Sequence, residues 1–287
     1  MQMTAELTVA YPGREGAHSA AACDRLFPAA RLVALPTFAD VVRAVSSGDA
    51  PYGVLPIESS LAGPVAETHD LLYDSSLSIV AEAILPIRHC LVGPAAVELA
   101  DVREIHSHPV ALDQCRHLLA SLPHVTATAA PTTGDAAAHV ATLGDPAVVA
   151  IASHRAARLN KLVVVAEDVG DHPEAYTRFV SIAPYTRLDR RDGLWRTAFS
   201  FVTDHQPGAL HRALEPLARH GIDLSLLASR PIPAQPWRYR FDAVLAGHPL
   251  DPEVSATLAE LRGLTARLRV FGSYRADRDE EPEPPGA

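Results

Sequence analysis

The sequence predicts an α/β fold followed by a smaller β-α-β-β-α-β module. Two observations carry this prediction. Up to about residue 187, short apolar runs alternate with amphipathic helical stretches, the pattern of layered α/β architectures. From residue 194 the chain changes to six compact segments in the order of a split β-α-β motif. Nothing repeats at a fixed period, which excludes a solenoid.

Leu7, Val9 and Tyr11 alternate at period two before Pro12-Gly13, predicting a strand that ends in a turn. Ser19 to Leu26 reads as a helix with Ser19 as its cap. Thr37 to Ser46 is a second helix, with Phe38, Val41, Val42 and Val45 on one face. Gly53 to Ile57, Ser78 to Ala83, Cys90 to Val92 and Leu162 to Val165 read as extended, and Ala147 to Ala152 as extended or entering a helix. Val110 to Leu122 and Thr133 to Thr142 read as helical. A charged stretch, residues 187–193, follows the strand around Phe179 to Ile182 and is expected to be a linker.

In the C-terminal module, Arg196 to Thr203 predicts a strand with Phe199 and Phe201 on one face. Leu210, Leu214, Leu217 and Ala218 form the stripe of a helix after Pro207-Gly208. Leu224 to Arg230 and Arg238 to Ala246 are strands, Glu253 to Arg262 a helix, and Ala266 to Tyr274 the last strand. An open sheet of this kind leaves edges that a second copy can cover. Residues 276–287 are acidic and proline-rich and are expected to be a disordered tail.

Composition narrows the function classes. A hydrophobic content of 48% over 287 residues supports a sizeable core. The net charge of -9 argues against nucleic acid as a partner, because such proteins carry basic surfaces that release counterions. Cys23, Cys90 and Cys115 are odd in number and widely spaced, which predicts reduced thiols, not a disulfide framework or a zinc motif. The N-terminal residues lack a secretory pattern, and no run is long enough to span a bilayer. A cytoplasmic protein with no membrane partner is expected.

Five segments of the N-terminal part then resemble the prephenate dehydratases. They are Tyr11 to Ser19 (YPGREGAHS), Gly53 to Ser60 (GVLPIESS), the pair Leu85 to Leu91 and Ser107 to Cys115, and the tripeptide Thr177-Arg178-Phe179. Pro207-Gly208-Ala209-Leu210 and Ser229-Arg230-Pro231 resemble the ACT domain that accompanies these enzymes. One tripeptide would carry no weight, but several motifs in the family's order do.

The resemblance implies a two-lobed, periplasmic-binding-protein-like catalytic domain over 1–187, with the substrate in the cleft, and a ferredoxin-like ACT domain over 194–275. It implies decarboxylation and dehydration of prephenate to phenylpyruvate without metal or organic cofactor. It also implies phenylalanine as an allosteric effector and a homodimer or homotetramer.

Thr177 is the expected catalytic donor to the leaving hydroxyl. A threonine is a weak acid, so orientation and electrostatics must supply most of the rate. Arg178 is expected either to grip the pyruvyl carboxylate or, because adjacent strand residues face opposite ways, to hold the cleft through an ion pair. Phe179 is expected to shape the site. Gly16, Ala17 and Ser19 are expected in a facing loop, and Glu58, Ser59 and Ser60 at a strand end. Thr132 and Thr133 stand before a helix, where they can donate or cap. Gly208, Ala209, Leu210, Leu226, Ser229, Arg230 and Pro231 are the expected effector residues, with the Leu226 to Arg230 strand supplied by a neighbouring chain. Removing residues 194–287 is expected to leave activity and abolish the effector response.

The chain departs from the family pattern at several positions. His18 replaces an aromatic residue, Ala17 a hydroxyl residue, Ser59 an Asn, and Ala228 a Glu; Glu174 and Ala175 replace polar residues. Prephenate decarboxylase, arogenate dehydratase and a non-catalytic amino-acid sensor are therefore retained as alternatives.

Overall fold

Apolar strands pair into three sheets, and helices whose stripes match them cover the faces. The computed structural model describes residues 6–186, 192–233 and 235–277. The first lobe contains β1 (Thr8–Pro12), α1 (His18–Leu26), β2 (Arg31–Leu35), α2 (Phe38–Ser47), β3 (Tyr52–Ser59), the short β4 (Gly63–Pro64), α3 (Ala66–Asp74) and β5 (Ser78–Pro86). The second lobe contains β6 (Cys90–Gly93), β7 (Glu104–Ser107), α4 (Pro109–Asp113), α5 (Arg116–Ser121), β8 (Thr126–Ala129), α6 (Thr133–Leu143), β9 (Val148–Ala152), α7 (His154–Leu159) and β10 (Val163–Ala166). The chain then returns to the first lobe as β11 (Tyr176–Ala183).

The first sheet has the order β2-β1-β3-β11-β5, with β4 attached to β3. The second has the order β10-β6-β9-β7-β8. In the first, β1 pairs in parallel with both β2 and β3, whereas β11 is antiparallel to β3 and β5. The chain thus crosses between lobes twice, and a cleft opens at the crossings.

The third unit runs β12 (Trp195–Val202), α8 (Ala209–Arg219), β13 (Leu224–Pro231), β14 (Tyr239–Ala246), α9 (Pro252–Leu264) and β15 (Arg267–Arg275). Its antiparallel sheet has the order β13-β14-β12-β15. The expected β-α-β-β-α-β connectivity is present. One face of this sheet packs Phe199, Phe201 and Leu245 against Leu217, Leu258 and Leu261 of the two helices.

Local chemistry sets most boundaries. Thr37 and Asp40 form a capping box at the start of α2, and Gly48 ends that helix with φ +83°. Ser19, expected as a cap, lies buried inside α1; Ala17 occupies the cap position and makes no side-chain cap bond. The helix expected over Val110 to Leu122 is two helices. The Asp171 carboxylate accepts the backbone N–H of Arg116 at 2.8 Å and of His117 at 3.0 Å, so a new helix starts there. β2, β4, β7, β8, α3 and α7 have no counterpart among the elements expected from the sequence.

The second face of the third sheet covers the first lobe. Ala198, Leu226, Val244, Phe271 and Tyr274 share one core with Leu55, Leu72 and Ile79. Arg230 and Arg240 both donate to Asp70 on α3, at 2.7 and 2.5 Å. Arg196 pairs with the buried Glu82 of β5, whose Oε1 also accepts the Asp277 backbone N–H at 3.0 Å. The Asp277 carboxylate in turn accepts the Ile84 N–H at 2.9 Å.

Two expectations change as a result. Ala276 and Asp277, assigned to the tail, are bonded to the body of the protein; residues 278–287 lie outside the described residues, as do 187–191 of the expected linker. Removing 194–287 would strip a shared core. Each large apolar side chain buried there stabilises by about 1.5–3 kcal/mol, so that truncation is expected to compromise the first lobe as well as any effector response.

The third sheet lies close against β5 at Gly272, which has φ +154°. A Cβ built there would lie 2.1 Å from the Ile79 carbonyl oxygen. Gly272→Ala is therefore expected to lower the thermal midpoint by about 5 °C or more, from a cost of about 1–3 kcal/mol. A melting curve superimposable on that of the wild type would show that the two sheets are not held this close.

Candidate active site

The register of β11 on β3 sorts the side chains by face. Thr177 stands opposite Ser59 and Arg178 opposite Glu58; a bulge follows, and Phe179 stands opposite Pro56. Residues paired across a sheet share a face, and neighbours along a strand do not. Thr177, Ser59, Pro56 and Phe179 accordingly line one cleft of about 600 Å³, and Arg178 and Glu58 do not.

The other walls come from both lobes. Gly13, Ala17, His18 and Ser19 contribute from the first loop and α1, and Thr132 and Thr133 from the start of α6. Thr132 caps α6: its hydroxyl accepts the Asp135 N–H at 3.0 Å and donates to the Asp135 carboxylate at 2.8 Å. The Ser59 hydroxyl oxygen accepts the N–H groups of Leu61 and Ala62, each at 3.3 Å. Short hydroxyls and helix N-termini of this kind are donors for carboxylates. The lobes are tied across the cleft by ion pairs between Arg14 and Asp135 and between Arg155 and Asp24.

Three histidines also line the cleft: His18, His89 and His108. The His18 and His89 rings meet edge to face with centroids 6.3 Å apart. His89 Nε2 bonds the Gln114 amide oxygen at 2.8 Å. Among the described residues, neither His18 Nε2 nor His89 Nδ1 has a hydrogen-bond partner. Burial, with His89 nearby, lowers the His18 pKa from 6.5 to about 4. Burial also lowers that of His89 against the opposing Gln114 bond, and lowers that of His108. The walls therefore present neutral imidazoles, and among the described lining residues none is Arg or Lys. His18 stands out in the sequence only as a departure from the family pattern. His89 and His108 lie in the matched segments, but without a fold nothing marked their side chains as facing the cleft.

Several expected site residues lie elsewhere. Arg178 faces Glu58 at 3.6 Å and Glu82 at 3.9 Å on the far side of the sheet, so the ion-pair alternative describes it and the carboxylate grip does not. Glu58 is that arginine's partner. The Ser60 hydroxyl oxygen accepts the Tyr176 N–H at 2.9 Å, fastening the turn after β3 to the start of β11. Gly16 packs on α7: its carbonyl accepts the Ser153 hydroxyl at 3.1 Å, and a Cβ there would lie 3.2 Å from the Ala156 Cα.

The expected effector residues divide into two groups. Gly208, Ala209 and Leu210 line a second cavity of about 280 Å³ with Trp237, Tyr239 and Phe241. Gly208 caps α8 with φ +75°, a conformation that favours glycine. Leu226 is buried against the first lobe and Arg230 is bonded to Asp70, whereas Ser229 and Pro231 are exposed on the edge strand β13. Among the described residues, the lining of that cavity includes none of Leu226, Ser229, Arg230 and Pro231.

Comparison with known proteins agrees with this arrangement. The prephenate dehydratase family model matches residues 9–186. A bifunctional chorismate mutase/prephenate dehydratase from Enterobacter agglomerans is 32% identical over 247 residues, which are 86% of this chain and 64% of that protein. A bifunctional N-acyl-homoserine lactone acylase/prephenate dehydratase from Komagataeibacter europaeus is 36% identical over 276 residues, covering 96% of this chain and 98% of the relative. The crystal structure of prephenate dehydratase in complex with L-Phe from Arthrobacter aurescens superimposes with a TM-score of 0.85 at 32% identity, over 96% of this chain and 92% of that one. With the family model spanning more than half of its length, the chain belongs to the prephenate dehydratase family.

Proposed function

We propose that this chain converts prephenate to phenylpyruvate, with Thr177 as the catalytic donor. The observation that carries this reading is the shared face of Thr177, Ser59 and Phe179 in a cleft between two lobes. In the reaction, the electrons of the bond to the ring carboxylate flow into the ring as CO2 departs. The ring hydroxyl then leaves at the opposite carbon as water, with a proton that solvent replenishes through the donor. Thr177 donates its hydrogen bond to that oxygen. Ser59, Thr133 and the α6 N-terminus hold the pyruvyl carboxylate, while Phe179 and Pro12 shape the ring pocket. A lining without Arg or Lys among the described residues suits this chemistry, since a cation on the departing carboxylate would stabilise the ground state more than the transition state.

Arogenate carries an ammonium where prephenate has a ketone. Glu67 lines the cleft and supplies a partner for that ammonium, so arogenate is the second substrate to assay. Simple decarboxylation would not need a donor at position 177.

In the same reading, the C-terminal unit is a ferredoxin-like ACT domain that senses phenylalanine. Its support is the β13-β14-β12-β15 order and the glycine-started α8 over an aromatic-lined cavity. The open edge at β13, with Leu227 exposed, suits pairing with a second copy, which would complete the effector site and make the protein a homodimer or homotetramer. Among the described residues no helix is long and apolar enough to cross a membrane, and a cytoplasmic setting matches the three free cysteines.

Thr177→Ala is expected to lower prephenate turnover by about 10²–10⁴-fold with an unchanged melting temperature, and Thr177→Ser to restore part of it. Turnover is followed by the enol absorbance of phenylpyruvate, and an alanine variant with wild-type turnover would remove Thr177 from the mechanism. Gly208→Val is expected to abolish the kinetic response to phenylalanine; a response that survives would move the effector site elsewhere. His18 has a lowered pKa, so its neutral form contributes stability that is present above 6.5 and lost as pH falls toward about 4. His18→Phe is expected to flatten that part of the Tm–pH profile, and parallel profiles for the two proteins would show that His18 is not buried as described.

A further inference from the structure

Folding brings one of the widely spaced cysteines against a histidine and a glutamate from distant segments. Cys90 opens β6, His154 is the first residue of α7, and Glu167 follows β10. Cys90 Sγ lies 3.6 Å from Glu167 Oε2, and His154 Nε2 lies 2.6 Å from the same oxygen. All three ligand atoms fall within 4.8 Å of one another. We propose that Cys90, His154 and Glu167 form a binding site for a thiophilic divalent cation of the zinc class, completed by a water molecule.

The donor set and the spacing both fit. Zinc takes thiolate, imidazole and carboxylate ligands at about 2.0–2.3 Å in a tetrahedron, which puts neighbouring ligand atoms about 3.3–3.6 Å apart. The sulfur–carboxylate separation already has this value, and the shorter contact between the exposed His154 and Glu167 side chains must open to reach it. The thiol is fully buried, whereas the His154 and Glu167 side chains are 47% and 60% exposed. Solvent thus reaches the site from one side, providing an entry path and a place for the water.

The alternative is an ordinary His–Glu surface pair beside a buried thiol. The convergence argues for the cation: an enclosed sulfur of β6 faces an imidazole and a carboxylate from two other segments, with all three ligand atoms within 4.8 Å. A cation replacing the thiol proton would be shared by all three groups. The Asp168 backbone N–H bonded to the sulfur would support the thiolate from outside the coordination shell. The site sits at the start of α7, whose Ser153 and Ala156 hold Gly16 of the first lobe. A bound ion would therefore fasten β6, β10 and α7 together behind His89 and steady one wall of the cleft.

The test uses the full chain after chelator treatment, titrated with Co²⁺. One equivalent is expected to give a near-ultraviolet sulfur-to-cobalt charge-transfer band with visible bands of tetrahedral intensity, and Zn²⁺ is expected to bleach both. Cys90→Ser should remove the charge-transfer band. His154→Ala and Glu167→Gln should each weaken Co²⁺ binding about tenfold or more, and should abolish the rise in Tm that Zn²⁺ gives the wild type. If Cys90→Ser does not fold, these two exposed-residue variants decide the matter alone. The proposal is overturned if no sulfur band appears, or if the band and the affinity are unchanged in both variants; cobalt binding without the band would belong to the chain's other histidines.

Discussion

The seating of one returning strand, Tyr176–Ala183, between β3 and β5 sets both the site and its support. Inserted antiparallel in the middle of the first sheet, this strand must send alternate side chains to opposite faces. Thr177 and Phe179 go to the cleft, and Arg178 goes to the other side. There it meets Glu58 and the fully buried side chain of Glu82. Buried charge is tolerated only when paired, so Arg178 fixes the strand by the same alternation that presents Thr177.

The third unit shares this support. Arg196 and the Asp277 N–H meet at the Glu82 carboxylate that Arg178 also approaches, and Asp277 reaches on to Ile84 of β5. A second group of charges joins Arg230 and Arg240 to Asp70. Around both lies the common apolar core of Leu226, Val244 and Phe271 with Leu55 and Ile79. A displacement of the third sheet must strain these bonds, and one of them belongs to the residue beside Thr177. Short-range contacts across one interface thus connect the third unit to the strand that carries Thr177.

Much of the cleft was legible residue by residue. Thr177, Phe179, Ala17, Ser19, Ser59, Thr132 and Thr133 were all singled out, and all line it. Arg178, Glu58, Ser60 and Gly16 were singled out with them and do not. Their motifs are contiguous in sequence, but a strand or tight turn splits neighbours between two faces, and motif membership cannot say which face. The three histidines show the reverse case. Residues 18, 89 and 108 converge from three segments, and no local pattern links them. The Cys90, His154 and Glu167 group is of the same kind, since its spacing matches no metal motif.

The sequence by itself determined the alternation of strands and helices, the change to a β-α-β-β-α-β unit near residue 194, and the helix that starts at Thr37 with Phe38, Val41, Val42 and Val45 on one face. These rest on period, propensity and short-range hydrogen bonds, which neighbours along the chain decide. Only the tertiary structure decided that the third unit lies sheet-first on the first lobe, that Asp277 belongs to the body, and that Asp171 breaks the helix after Asp113. Each depends on a partner tens to hundreds of residues away, and such contacts are chosen by packing and charge pairing after the local elements have formed.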